Sequence, residues 1–90
     1  MPVTPSEISD IKEEVRLIKD KDLQSSKDTL LFAFSQARGS GETGKILDKI
    51  VEKIVWIDCR LEGFSETGIK SWWFRSKSRL KYFKQNRWII

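Results

Sequence analysis

Apolar residues recur along this chain at helical spacing, not in strict alternation. Ile8, Ile11, Val15 and Ile18 form one narrow stripe, opposed by the mixed charges Lys12, Glu13, Glu14 and Arg16. Thr4 is placed as N-cap ahead of this stripe, with Pro5 at the first helical position and Glu7 set to complete a capping box. Val3 and Ile8 have the spacing of a hydrophobic staple. The pattern predicts a first helix over residues 5–20.

A polar stretch from Lys21 to Ser26 separates this helix from a second, expected over 27–38. Ser25 or Ser26 would cap it and Gly39 would end it. Leu30, Ala33, Phe34 and Ala37 share a face, and Phe32 points away from it, which suggests contacts on two sides. The strongest periodicity follows the loop 39–44. Ile46, Leu47, Ile50, Ile54, Ile57 and Leu61 fall within an arc of about 100° at about 100° per residue. This helix, 44–62, is the expected spine of the core. Gly63 would stop it, with Phe64 folding back.

Ser65 or Thr67 would cap a last helix, 66–85. Ile69, Trp72, Trp73, Leu80, Phe83 and Ile90 are its apolar stripe and its expected contact with the other helices. The fold class is therefore all-α: a small single-domain bundle of about four helices over residues 1–90.

Charge adds a direction to this outline. The chain has 90 residues, 17 Lys plus Arg, 13 Asp plus Glu, and a net charge of +4. All the acids lie at or before Glu66, so residues 67–90 are a basic segment without one, attached to a mildly acidic body, 1–66. Six of the ten aromatic residues lie in that segment too. On the expected outer face of the last helix, Phe74, Ser78 and Tyr82 form a row one turn apart. Lys70, Arg75, Lys77, Arg79, Lys81, Lys84 and Arg87 complete the basic set. Cations meet phosphates and rings stack on bases in single-strand binding. Nucleic acid, as RNA or single-stranded DNA, is the first expectation, with Phe74, Arg75 and Tyr82 stacking and the remaining basic residues on phosphate.

The alternative is a protein–protein interaction module that meets an acidic surface, either of a partner or of a second copy in a homo-oligomer. The apolar Trp88-Ile89-Ile90 end fits a docked position in a core or interface. A basic helix with tryptophans could also lie on a membrane surface. The expected use of Trp72, Trp73, Leu80 and Phe83 as core counts against that. Whether Phe74 and Tyr82 are exposed beside a positive surface is the deciding observation.

Chemistry is scarce. The absence of histidine removes the usual neutral-pH acid–base group and His-ligated zinc. Cys59 is the only cysteine, without a partner for a disulfide or a base to activate it. Gly39-Ser40-Gly41-Glu42-Thr43-Gly44-Lys45 nearly matches a phosphate-binding loop, but Ile46 stands where Ser or Thr would hold magnesium, and no strand precedes it. The one-turn carboxylate pairs Asp10/Glu14, Asp48/Glu52 and Asp58/Glu62 read as solvated surface charges. No enzyme activity, cofactor or metal is expected. Neither a secretory leader nor an apolar run of spanning length is visible, so the expected setting is cytoplasmic or nuclear, without integral membrane insertion.

Overall fold

The Thr4 hydroxyl accepts the Glu7 amide and the Glu7 carboxylate accepts the Thr4 amide, closing the capping box that starts helix α1 (Pro5–Leu17). In the computed structural model, which describes residues 4–41 and 44–87 with side chains through Tyr82, three further α-helices follow. These are α2 (Leu23–Gly39), α3 (Lys45–Leu61) and α4 (Ile69–Arg87), with a short 3₁₀ turn at Asp20–Asp22. Among the described residues there is no strand, and the fold is an all-α bundle of four helices.

Boundaries of three helices differ from expectation by more than one residue; α4, expected over 66–85, runs from Ile69 to Arg87, and the expected cap Ser65 donates its hydroxyl to the Thr67 carbonyl instead. α1 ends at Leu17, where Arg60 of α3 donates to the carbonyls of Val15 and Ile18 and pairs with Asp20. The Val15 carbonyl takes the Ile18 amide at 3.2 Å and Ile18 is itself the C-cap, so a cation from α3 completes the hydrogen bonding of this helix end. α2 starts at Leu23, four residues early, because Leu23 is an apolar anchor buried against α1 and α3. Gly39 remains helical, and the left-handed stop falls on Gly41 (φ 80°). Val3, half of the expected staple, lies outside the described residues.

α3 is the spine and contacts every other helix. Its Ile57 joins Ile11, Val15, Leu23 and Trp56 in one cluster, while Leu47, Val51, Ile54 and Val55 join Phe34 and Tyr82 in another. Two residues of its expected apolar arc do not enter the core: Ile46 is exposed at the first turn, and Leu61 at the last is on the margin. The α3 end follows the expected pattern. Gly63 is left-handed (φ 81°), and the Phe64 amide donates to the Cys59 carbonyl at 3.0 Å. Phe32 on α2 is exposed, so that helix is covered on one side only.

The largest correction concerns α4. The stripe expected to face the core faces solvent: Ile69 is 78% exposed, Leu80 59%, Trp72 56% and Trp73 55%. The buried positions are Ser71, Arg75 and Tyr82, on the face expected to be outward. The cause lies in what α3, with Phe34 of α2, offers. Glu52 is buried on α3 and needs a cation; Arg79 donates to it through two nitrogens, at 2.6 and 3.0 Å. The Trp56 ring takes the Arg75 guanidinium 4.3 Å from its centroid, the Cys59 sulfur meets the Ser71 hydroxyl at 3.2 Å, and Phe34 meets Tyr82 edge-on. Turning the tryptophans inward would strand Glu52 as an unpaired buried charge, a cost of about 3–5 kcal/mol.

Candidate functional site

At about 100° per residue, α4 divides into three sectors. Ser71, Arg75 and Tyr82 face the body. Trp72, Ile69, Leu80 and Trp73 span the next sector, about 100° wide, all exposed. Lys77, Lys70 and Lys81 follow at about 40–80° beyond Trp73, and all three are exposed. The outer surface of α4 is therefore an apolar ridge bordered along one edge by a lysine row. No carboxylate belongs to this helix.

The expected binding residues separate accordingly. Lys70, Lys77 and Lys81 are brought together in the open. Arg75 is buried, donating to the Ser71 hydroxyl and the Glu66 carbonyl. Arg79 is committed to Glu52. Tyr82 is 4% exposed, and burial pushes its phenol above the ordinary value. Phe74 is half-buried, its ring 5.0 Å from that of Phe64. In this packing Tyr82 and Arg75 offer no face to a base. The side chains of Lys84 and Arg87, like the expected stripe members Phe83 and Ile90, lie outside the described residues.

Residues assigned to the core from sequence are instead the surface feature. Trp72 and Trp73 meet edge-on with centroids 6.3 Å apart, and the Lys77 ammonium lies 5.5 Å over the Trp73 ring. The signal available in the sequence was complementary: Glu52 set between Val51 and Val55 on α3, and two arginines and a serine at one-turn spacing on α4. Beside the lysine row, Phe64, Ile69, Trp73 and Phe74 line an open cleft of about 330 Å³, with Lys70 and Lys77 also in its lining.

Other candidates resolve into structural roles. A helix, α2, precedes the glycine loop, and Lys45 is engaged by Glu7 at 2.8 Å. Each of the three carboxylate pairs has an ion-paired member: Glu14 with Lys53 at 2.5 Å, buried Glu52 with Arg79, and Asp58 with Lys27 at 2.6 Å. Cys59 is buried against Ser71. Among the described residues, no group of three His, Cys, Asp or Glu side chains is arranged to hold a metal.

Among the described carboxyls Glu7 has the clearest titration shift, drawn down to about 2 by hydrogen bonds from Lys45 and Lys49. A carboxyl lowered from 4.5 on folding adds stability above that pH, and the contribution disappears as the pH falls towards 2. Side-chain NMR titration is expected to place the Glu7 midpoint near 2, and Lys45→Gln with Lys49→Gln should return it towards 4.5.

Comparison with protein-family models, curated proteins and solved structures finds no match to this chain.

Proposed function

We propose that this protein is a peripheral binding module for anionic membrane surfaces, using the outer face of α4. The observation that carries this reading is the inversion of that helix: its polar side is packed and its tryptophan–aliphatic ridge is exposed. An apolar ridge with a lysine border suits the interface of a bilayer. Ile69 and Leu80 would enter the acyl boundary, and the indoles would sit at headgroup level with their N–H groups towards water. Lys70, Lys77 and Lys81 would reach lipid phosphates, each adding about 1 kcal/mol near an anionic surface. Among the described residues, no helix is long and apolar enough to cross a membrane, so the proposed contact lies in the interfacial plane.

The same face is poorly suited to a second copy. Because α4 has no acid, apposing two such helices brings cations together. In an antiparallel two-fold pair both lysine rows fall along the same edge.

Nucleic acid is the second reading, favoured by the acid-free lysine row beside two exposed indoles. Trp72 and Trp73 would then stack on bases in place of Phe74 and Tyr82. Ile69 and Leu80 favour lipid over it, because base stacking gives exposed aliphatic side chains little to gain. An acidic protein surface is the remaining partner class.

Flotation with phosphatidylcholine vesicles containing about 30% phosphatidylserine tests the proposal. The protein is expected to float with these vesicles at low salt and to remain in solution with pure phosphatidylcholine. Raising the salt to about 1 M, where the screening length falls to about 3 Å, should weaken binding. Failure to float, combined with tight binding to a single-stranded oligonucleotide, would overturn it in favour of nucleic acid.

A further inference from the structure

The cleft between the α3–α4 loop and the first turns of α4 has a composition different from the ridge beside it. Phe64, Ile69, Trp73 and Phe74 contribute apolar surface, while Lys70 and Lys77 are the charged residues that line it among those described. The loop is anchored from below: the Phe64 amide donates to Cys59, and the Ser65 hydroxyl donates to the Thr67 carbonyl at 2.6 Å. The tilted stack of Phe64 on Phe74, at 5.0 Å, ties that loop to α4. A volume of about 330 Å³ is at the small end for ligand sites, and the apolar character of this one matches a hydrocarbon chain. Two ammonium groups, with no carboxylate beside them among the described lining residues, select for an anionic head.

We infer that this cleft binds a single anionic amphiphile, with its chain against Phe64, Phe74, Trp73 and Ile69 and its phosphate or carboxylate head between Lys70 and Lys77. The inference rests on the membrane reading of α4 and deepens it. The surface would then hold one lipid in a defined place while the ridge contacts its neighbours. The shared chemistry, a tail joined to an anion, could come from a bilayer lipid or from a dissolved single-chain amphiphile.

Alkyl phosphates below their micelle-forming concentration separate these cases by calorimetry with the full chain. Octyl phosphate is expected to bind, with inorganic phosphate and octyl glucoside both at least about tenfold weaker because each lacks one half of the match. From butyl to octyl phosphate, affinity should rise by up to about fourfold per methylene, the equivalent of about 0.8 kcal/mol for each CH₂ buried. Phe64→Ser should lower octyl phosphate affinity at least tenfold, on the order of one buried aromatic contact. The exposed pair Lys70→Gln and Lys77→Gln, which leaves the aromatic stack intact, should do the same.

Inorganic phosphate binding as tightly as octyl phosphate, or either variant leaving octyl phosphate affinity unchanged, overturns the inference. Vesicle binding without octyl phosphate binding overturns the cleft and spares the membrane reading. Octyl phosphate binding without vesicle binding supports the cleft and overturns that reading. Loss of both overturns both.

Discussion

Tyr82→Ala is expected to destabilise the protein by about 3–4 kcal/mol in urea unfolding, whereas Leu80→Ala, two residues away, should cost less than about 0.5 kcal/mol. Hydropathy alone predicts the opposite order, since leucine is the more apolar of the two. Tyr82 is buried with Phe34, Leu47, Val51, Ile54 and Val55, and its ring meets Phe34 edge-on at 6.1 Å. Removing an aromatic side chain from such a setting loses its transfer free energy and leaves a cavity. Leu80 is exposed, so its truncation changes little that folding buries. A chain of this size has about 5–13 kcal/mol of total stability, so the Tyr82 substitution removes a large part of it. Equal effects at the two positions, or the reverse order, would mean that α4 is rotated about its axis relative to this packing.

The second large effect separates binding from folding. Trp72→Ser with Trp73→Ser should leave the unfolding midpoint nearly unchanged, because neither indole contributes to the buried clusters. Anionic vesicle partitioning of the same variant should fall by about two to three orders of magnitude. Withdrawing an indole from water into the interface is worth about 2 kcal/mol, by analogy with other large apolar side chains, and two such losses add to about 4 kcal/mol. A marked drop in stability without loss of partitioning would return the tryptophans to a structural role.

Much of the architecture was legible because each signal was local. The Thr4–Glu7 capping box, the six-residue apolar arc of α3 and the Gly63–Phe64 stop depend on residues a few positions apart, so four helices could be read directly. The start of α2 was missed because Leu23 is drawn into the helix by burial against α1 and α3, and Ser25 and Ser26 supply no cap. The rotation of α4 was misread for a different reason. Helical periodicity identifies which residues share a face, but not which face the neighbour accepts. That choice depends on Glu52, Trp56 and Cys59, which present α4 with a carboxylate, a π face and a sulfur. Arg79, Arg75 and Ser71 satisfy them, and the apolar stripe is left outside.

The same inversion divides the candidate site. Lys70, Lys77 and Lys81 were recognisable from the one-sided charge distribution and remain on the surface. Arg75 and Arg79 belong to the same charge count, but burial against α3 gives them structural partners. Trp72 and Trp73 were assigned to a core that closes without them, and with that assignment went the objection to a membrane surface.

The proposed contact is tested most directly by tryptophan emission as the full chain is titrated with phosphatidylserine-containing vesicles whose acyl chains are brominated near the headgroup. With Trp88 replaced by phenylalanine throughout, insertion of the α4 ridge predicts a blue shift with quenching, both lost when Trp72 and Trp73 are replaced by phenylalanine as well. Unshifted, unquenched emission at vesicle concentrations that saturate flotation would contradict it, because the bound surface would then lie elsewhere on the protein.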